Sequence, residues 1–110
     1  MSLQHKDLAA GRWYALGLIE QMANIGSEVE RALNWRAKNN ADYSRKAFER
    51  ALELLELTVQ DVKNRTRLKE FCRIKEALID DLSGENQYNS SDTAWKKYFL
   101  AFAFAARKNR

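Results

Sequence analysis

No proline occurs anywhere in the 110 residues, and glycine occurs four times. Proline is the residue that most firmly ends a helix, and it is at home in turns and edge strands. Its absence leaves a chain rich in Ala, Leu, Glu, Lys and Arg with few places to stop being helical. No run of alternating strand formers competes with that tendency. The expected fold class is all-α, and the length predicts a single domain, 1–110, with one core.

Apolar residues recurring at three and four place the helices. The first stretch runs from about Asp7 to Lys38 on the stripe Ala15, Leu18, Ile19, Met22, Ile25, Gly26, Val29, Ala32 and Leu33. Ser27 and Glu30 have capping-box spacing, and Gly26 has the character of a helix stop. The stripe nevertheless keeps one phase across them, which predicts one long helix with Gly26 as the place for a kink. Asn39 to Asp42 is turn-prone, and Ala47, Phe48, Ala51, Leu52, Leu55, Val59 and Val62 then give a second helix from Asp42 to Asp61. Lys63 to Arg65 makes a connection with Thr66 as cap. Leu68, Phe71, Cys72, Leu78, Ile79 and Leu82 carry a third helix, ended by Ser83 and Gly84. After the unpatterned segment Glu85 to Ser90, Ser90 or Ser91 caps a fourth helix running to Arg107. Four amphipathic helices with short joints predict an antiparallel four-helix bundle with a long first helix.

Much chemistry is excluded by counting. Cys72 and His5 are the only cysteine and the only histidine. A disulfide framework, a typical zinc site, a Ser-His-Asp or Cys-His arrangement and a Glu-x-x-His di-iron site therefore all lack parts. The four glycines are too dispersed for a phosphate loop. Asp80 and Asp81, and the row Glu49, Glu53 and Glu56, read as solvated carboxylates rather than an acid-base pair. Lys75 falls near the centre of the third stripe, where snorkelling along the edge is the ordinary account. The expectation is no enzyme, no cofactor and no metal. No run approaches the ~20 apolar residues of a membrane span. The lone cysteine suits a reducing compartment, so a cytoplasmic location is expected.

The faces carry the functional expectation. Tyr98 to Ala106 is unbroken apolar sequence, with Trp95, Tyr98, Phe99 and Phe102 on one face and Leu100 and Phe104 on the other. On the first helix, Trp13 and Leu16 lie off the main stripe, and Trp35 falls on the outer side. A small monomer should not expose several large apolar side chains together. Trp13, Leu16, Trp35, Leu100 and Phe104 are therefore the expected interface, with a homodimer or another protein as partner. The alternative is nucleic acid, held at its phosphates by Lys63, Arg65, Arg67, Lys69 and Arg73; the formal charge is +4. Asp61, Glu70 and Glu76 interrupt that patch. Small helical bundles that dimerise include the HEPN superfamily, whose ribonuclease members place a His a few residues after an Arg. No His follows His5 here, so any resemblance is to the non-catalytic members and in architecture alone.

Overall fold

The computed structural model describes residues 11–83, 86 and 90–108, and among these it is all-helical. A helical segment at 11–15 is followed by a bend at Leu16, an extended Gly17 (φ −70°, ψ 165°) and helix α1, Leu18–Ala37. Helix α2 is Ala41–Gln60. A 3-10 helix, Val62–Arg67, leads into α3, Leu68–Ser83, and α4 is Asp92–Lys108. His5, the expected helix start near Asp7, the Gly84 stop and Arg110 lie outside the described residues.

The predicted long first helix is thus divided, and at Leu16–Gly17 rather than at Gly26. The extended Gly17 breaks the phase, so Trp13, which lies off the stripe if one helix is assumed, is turned inward and is buried. Its Nε1 donates to Thr58 Oγ1 at 2.9 Å, giving the indole nitrogen the partner a buried tryptophan requires.

Gly26 has a different purpose. Helix α1 passes through it without interruption, and Ser27 donates back to the Ala23 carbonyl at 3.2 Å instead of capping a new helix. A Cβ on Gly26 would lie 2.6 Å from Phe99 Cβ, so this glycine permits the close approach of α1 and α4. Helix α1 has its closest backbone neighbours in α2 and α4, while α3 lies against α2. The core is filled by Met22, Ile25, Val29 and Leu33 of α1 together with Phe48 and Leu55 of α2, Phe71 and Leu78 of α3 and Phe99 of α4.

Local chemistry sets the remaining ends. Asn39 adopts φ 62°, a left-handed conformation that Asn tolerates, and closes the α1–α2 turn. Asn40 Oδ1 then accepts from the Tyr43 amide at 3.1 Å, capping α2. Asp61, not Thr66, caps the segment after α2, its Oδ1 accepting from the Lys63 amide at 3.2 Å. Ser91 caps α4 through the Ala94 amide at 3.1 Å, and Asp92, Arg107 and Lys108 complement the helix dipole at its two ends.

Candidate protein-interaction face

The side of α4 that carries Leu100 and Phe104 is open to solvent, with the two residues 60% and 62% exposed. Beneath it, α4 and α1 leave a shallow cleft of about 450 Å³ between Ala23, Gly26 and Ser27 on one wall and Lys96, Leu100 and Ala103 on the other. A second cleft of about 460 Å³ shares Ala23, Ser27, Glu30, Leu100 and Ala103 with the first and extends it to Glu20 and Arg107. The result is one trough along the α1–α4 seam. Small residues on its floor follow from the close helix approach that Gly26 allows. Its rims differ in sign: Lys96, Lys97 and Arg107 lie on α4, and Glu20 and Glu30 on α1.

The five predicted interface residues do not form one surface. Leu100 and Phe104 are one turn apart on the exposed side of α4. Trp13 is inside the core, for the reason given above, and Leu16 is half-buried against that core. Trp35 is half-buried at the α1–α2 turn. Its ring meets Tyr43 edge-on at 4.9 Å between centroids, and Lys38 Nζ lies 5.3 Å from its centroid.

The basic residues divide as well. Lys63 is engaged, its Nζ pairing with Asp61 Oδ2 and donating to the Tyr14 carbonyl. Arg67 donates to both oxygens of Glu70, from Nε and from a terminal nitrogen. Arg65, Lys69 and Arg73 are exposed. Lys75 is half-buried and places Nζ 2.7 Å from Glu56 Oε2 across α2 and α3, so it forms a rim ion pair rather than an enclosed base.

Two polar clusters are invisible to periodicity. The first joins α1 to the segment after α2. Fully buried Gln21 donates from Nε2 to the Trp13 carbonyl (3.0 Å) and to Asp61 Oδ2 (2.9 Å), and accepts from Asn64 Nδ2 at 2.9 Å. Burial alone would favour the neutral Asp61 carboxyl. Hydrogen bonds from Lys63 and Gln21, and the Lys63 charge, outweigh that and hold it below the usual carboxylate range. The second cluster corrects the reading of Asp81 as solvated: this residue is 7% exposed. It accepts from Arg36 at 3.1 Å and from Trp95 Nε1 at 2.9 Å, while Arg36 also reaches Asp92 at 2.8 Å. Burial would lower the Arg36 pKa, but the two carboxylates raise it. One guanidinium thereby ties the end of α1 to the end of α3 and the start of α4. Among the described residues every buried side-chain polar atom has a partner, so neither cluster offers an open valence to a ligand.

Among the described residues, no group of three or more His, Cys, Asp or Glu side chains could hold a metal ion, and no helix is long and apolar enough to cross a membrane. No family model, curated protein or solved structure matches the chain.

Proposed function

We propose that this chain is a non-catalytic helical-bundle interaction module that pairs with a second copy through the α1–α4 trough, in a reducing, cytoplasmic setting. The observation that carries the reading is the exposure of Leu100 and Phe104, 60% and 62%, beside the open α1–α4 seam. Fully burying a Leu or Phe side chain contributes about 1.5–3 kcal/mol, and a two-fold pairing counts each residue twice. The rims argue for a second copy over an unrelated partner. A two-fold axis along the trough sets the Lys96, Lys97 and Arg107 edge of one copy against the Glu20 and Glu30 edge of the other, so the surface complements itself.

Sedimentation velocity at micromolar concentration tests the proposal, with an expected mass of about twice 12.8 kDa. The variant L100S/F104S should sediment as a monomer with unchanged far-ultraviolet circular dichroism. Charge reversal adds a second readout: K96E and E30K should each weaken pairing, and the combined variant should recover part of it. A wild-type mass that stays monomeric at high micromolar concentration overturns the reading. So does an L100S/F104S chain that fails to fold, since those residues would then belong to the core.

A further inference from the structure

The molecule has a second, differently built cleft on the opposite side of α4. At 100° per residue, Tyr98 lies about 160° from Leu100 around the helix. It faces α3, where a cleft of about 530 Å³ is lined by Thr66, Arg67, Lys69, Glu70, Arg73 and Tyr98, together with Ile74. Glu70 is spoken for. It receives both donors of Arg67, and it accepts from the Tyr98 hydroxyl at 3.1 Å. Burial, then the Glu70 charge and hydrogen bond, raise the Tyr98 pKa against the opposing influence of Arg67, so the phenol keeps its proton.

With Arg67 and Glu70 cancelling, the cleft keeps the charges of Lys69 and Arg73. These are four residues apart on one helix face, with Cβ atoms about 6 Å apart. Among the described residues neither meets a carboxylate. Several other cations do meet one: Arg31 and Arg50 pair with Glu28, Arg36 with Asp81 and Asp92, Arg45 and Lys46 with Asp42, and Lys75 with Glu56. The cleft therefore carries two cations without a carboxylate partner one helical turn apart, with exposed Arg65 just before it in the chain.

We infer that the α3–α4 cleft is a phosphate-binding site, with Lys69 and Arg73 as the charged donors and the Thr66 hydroxyl as a neutral one. The ligand class is a phosphate-bearing anion, and the source with the most phosphates to offer is a single nucleic-acid strand held by its backbone. Binding there is sequence-independent and falls steeply with salt. It leaves the trough on the other side of α4 free, so the inference does not depend on self-association.

Fluorescence anisotropy with a labelled single-stranded oligonucleotide, at low and moderate salt, tests it. Inorganic phosphate serves as the second probe, followed by amide chemical shifts of residues 66–73. Wild type should bind the strand and lose affinity as salt rises. K69A/R73A should bind at least about tenfold more weakly, with a salt dependence lower by about 1.4 in log–log slope, from about 0.7 per single-strand phosphate contact. K46A, outside the cleft, should bind like wild type. Shifts caused by inorganic phosphate at residues 66–73 without strand binding would assign the cleft to a small phosphorylated ligand and uphold the phosphate chemistry. If neither probe binds at low salt, or if K46A loses as much as K69A/R73A, the inference is overturned.

Discussion

Replacing Gly26 with Ala sets two opposing effects of known size against each other. In a helix interior Ala is favoured over Gly by about 1 kcal/mol, so on propensity alone the variant should be more stable. The new Cβ, however, would lie 2.6 Å from Phe99 Cβ, 2.9 Å from its Cγ and 3.0 Å from its Cδ1. Comfortable carbon–carbon contact begins near 3.5 Å. The nearest of these atoms is Phe99 Cβ, attached directly to the α4 backbone, so rotating the ring cannot relieve the overlap. Phe99 is 4% exposed and packs on both Trp95 and Tyr98, so the whole helix has to shift. Overpacking of this kind costs about 1–3 kcal/mol, and the upper end applies where the backbone must give. The expected balance is a loss of about 2 kcal/mol, or roughly 8 °C in melting temperature for a domain of this size. Gly17→Ser provides the contrast. Nothing lies within 4 Å of a Cβ there, the backbone is extended, and Gly17 is the N-cap of α1 without a side-chain cap. A serine should raise stability by about 0.5–1 kcal/mol. Urea and thermal unfolding of both variants measure the pair. Gly26→Ala as stable as wild type would refute the close-approach argument, because α4 would then have to lie farther from α1.

Three further outcomes follow from the polar clusters. Asp81→Asn should cost about 2–3 kcal/mol in urea unfolding, because it removes the buried charge shared by Arg36 and Trp95; Asp92→Asn, at the more exposed end of the same guanidinium, should cost under about 1 kcal/mol. Gln21→Leu should lose about 2–4 kcal/mol despite being more hydrophobic, since it removes the acceptor of one Asn64 amide hydrogen and takes a donor from both Asp61 and the Trp13 carbonyl; a stabilised variant would show that the cluster is dispensable. Because Asp61 is held below its ordinary value of 3.8, its contribution is fully present above about pH 4 and is lost as pH falls through the folded value. Stability measured from about pH 5 down to pH 2 should decline less steeply for Asp61→Asn than for wild type, and equal slopes would refute the role assigned to Asp61.

Periodicity was a good guide where each helix buries one continuous stripe. Helix α2 begins and ends within a residue of its expected bounds, and Ser91 caps α4 as its position before the apolar run implies. The outward placement of Leu100 and Phe104 could be read from the wheel because α4 stays in one phase along its length. It failed at Trp13, because a helical wheel assumes an unbroken helix and the break at Leu16–Gly17 resets it. It also misplaced the significance of Gly26, since a glycine that ends a helix and one that admits a neighbouring helix look alike without the neighbour. Asp81 and Gln21 were beyond reach for a related reason. A carboxylate or amide becomes buried only when distant parts of the chain supply its partners, here Arg36 and Trp95 for one and Trp13, Asp61 and Asn64 for the other. The trough depends on the same kind of information, being defined by how closely two helices approach rather than by either helix alone.

The three tryptophans occupy three separate joints, which makes this chain unusually well supplied with optical probes. Trp13 is hydrogen-bonded to Thr58 and so senses whether the segment before Gly17 is docked; Trp95 senses the Asp81 clasp, and Trp35 the α1–α2 turn. In variants keeping one indole each, the emission of the two nearly sealed rings should be bluer than that of the wetter Trp35. Stepwise loss of these signals during unfolding would reveal which joint parts first, a question that a single global signal averages away.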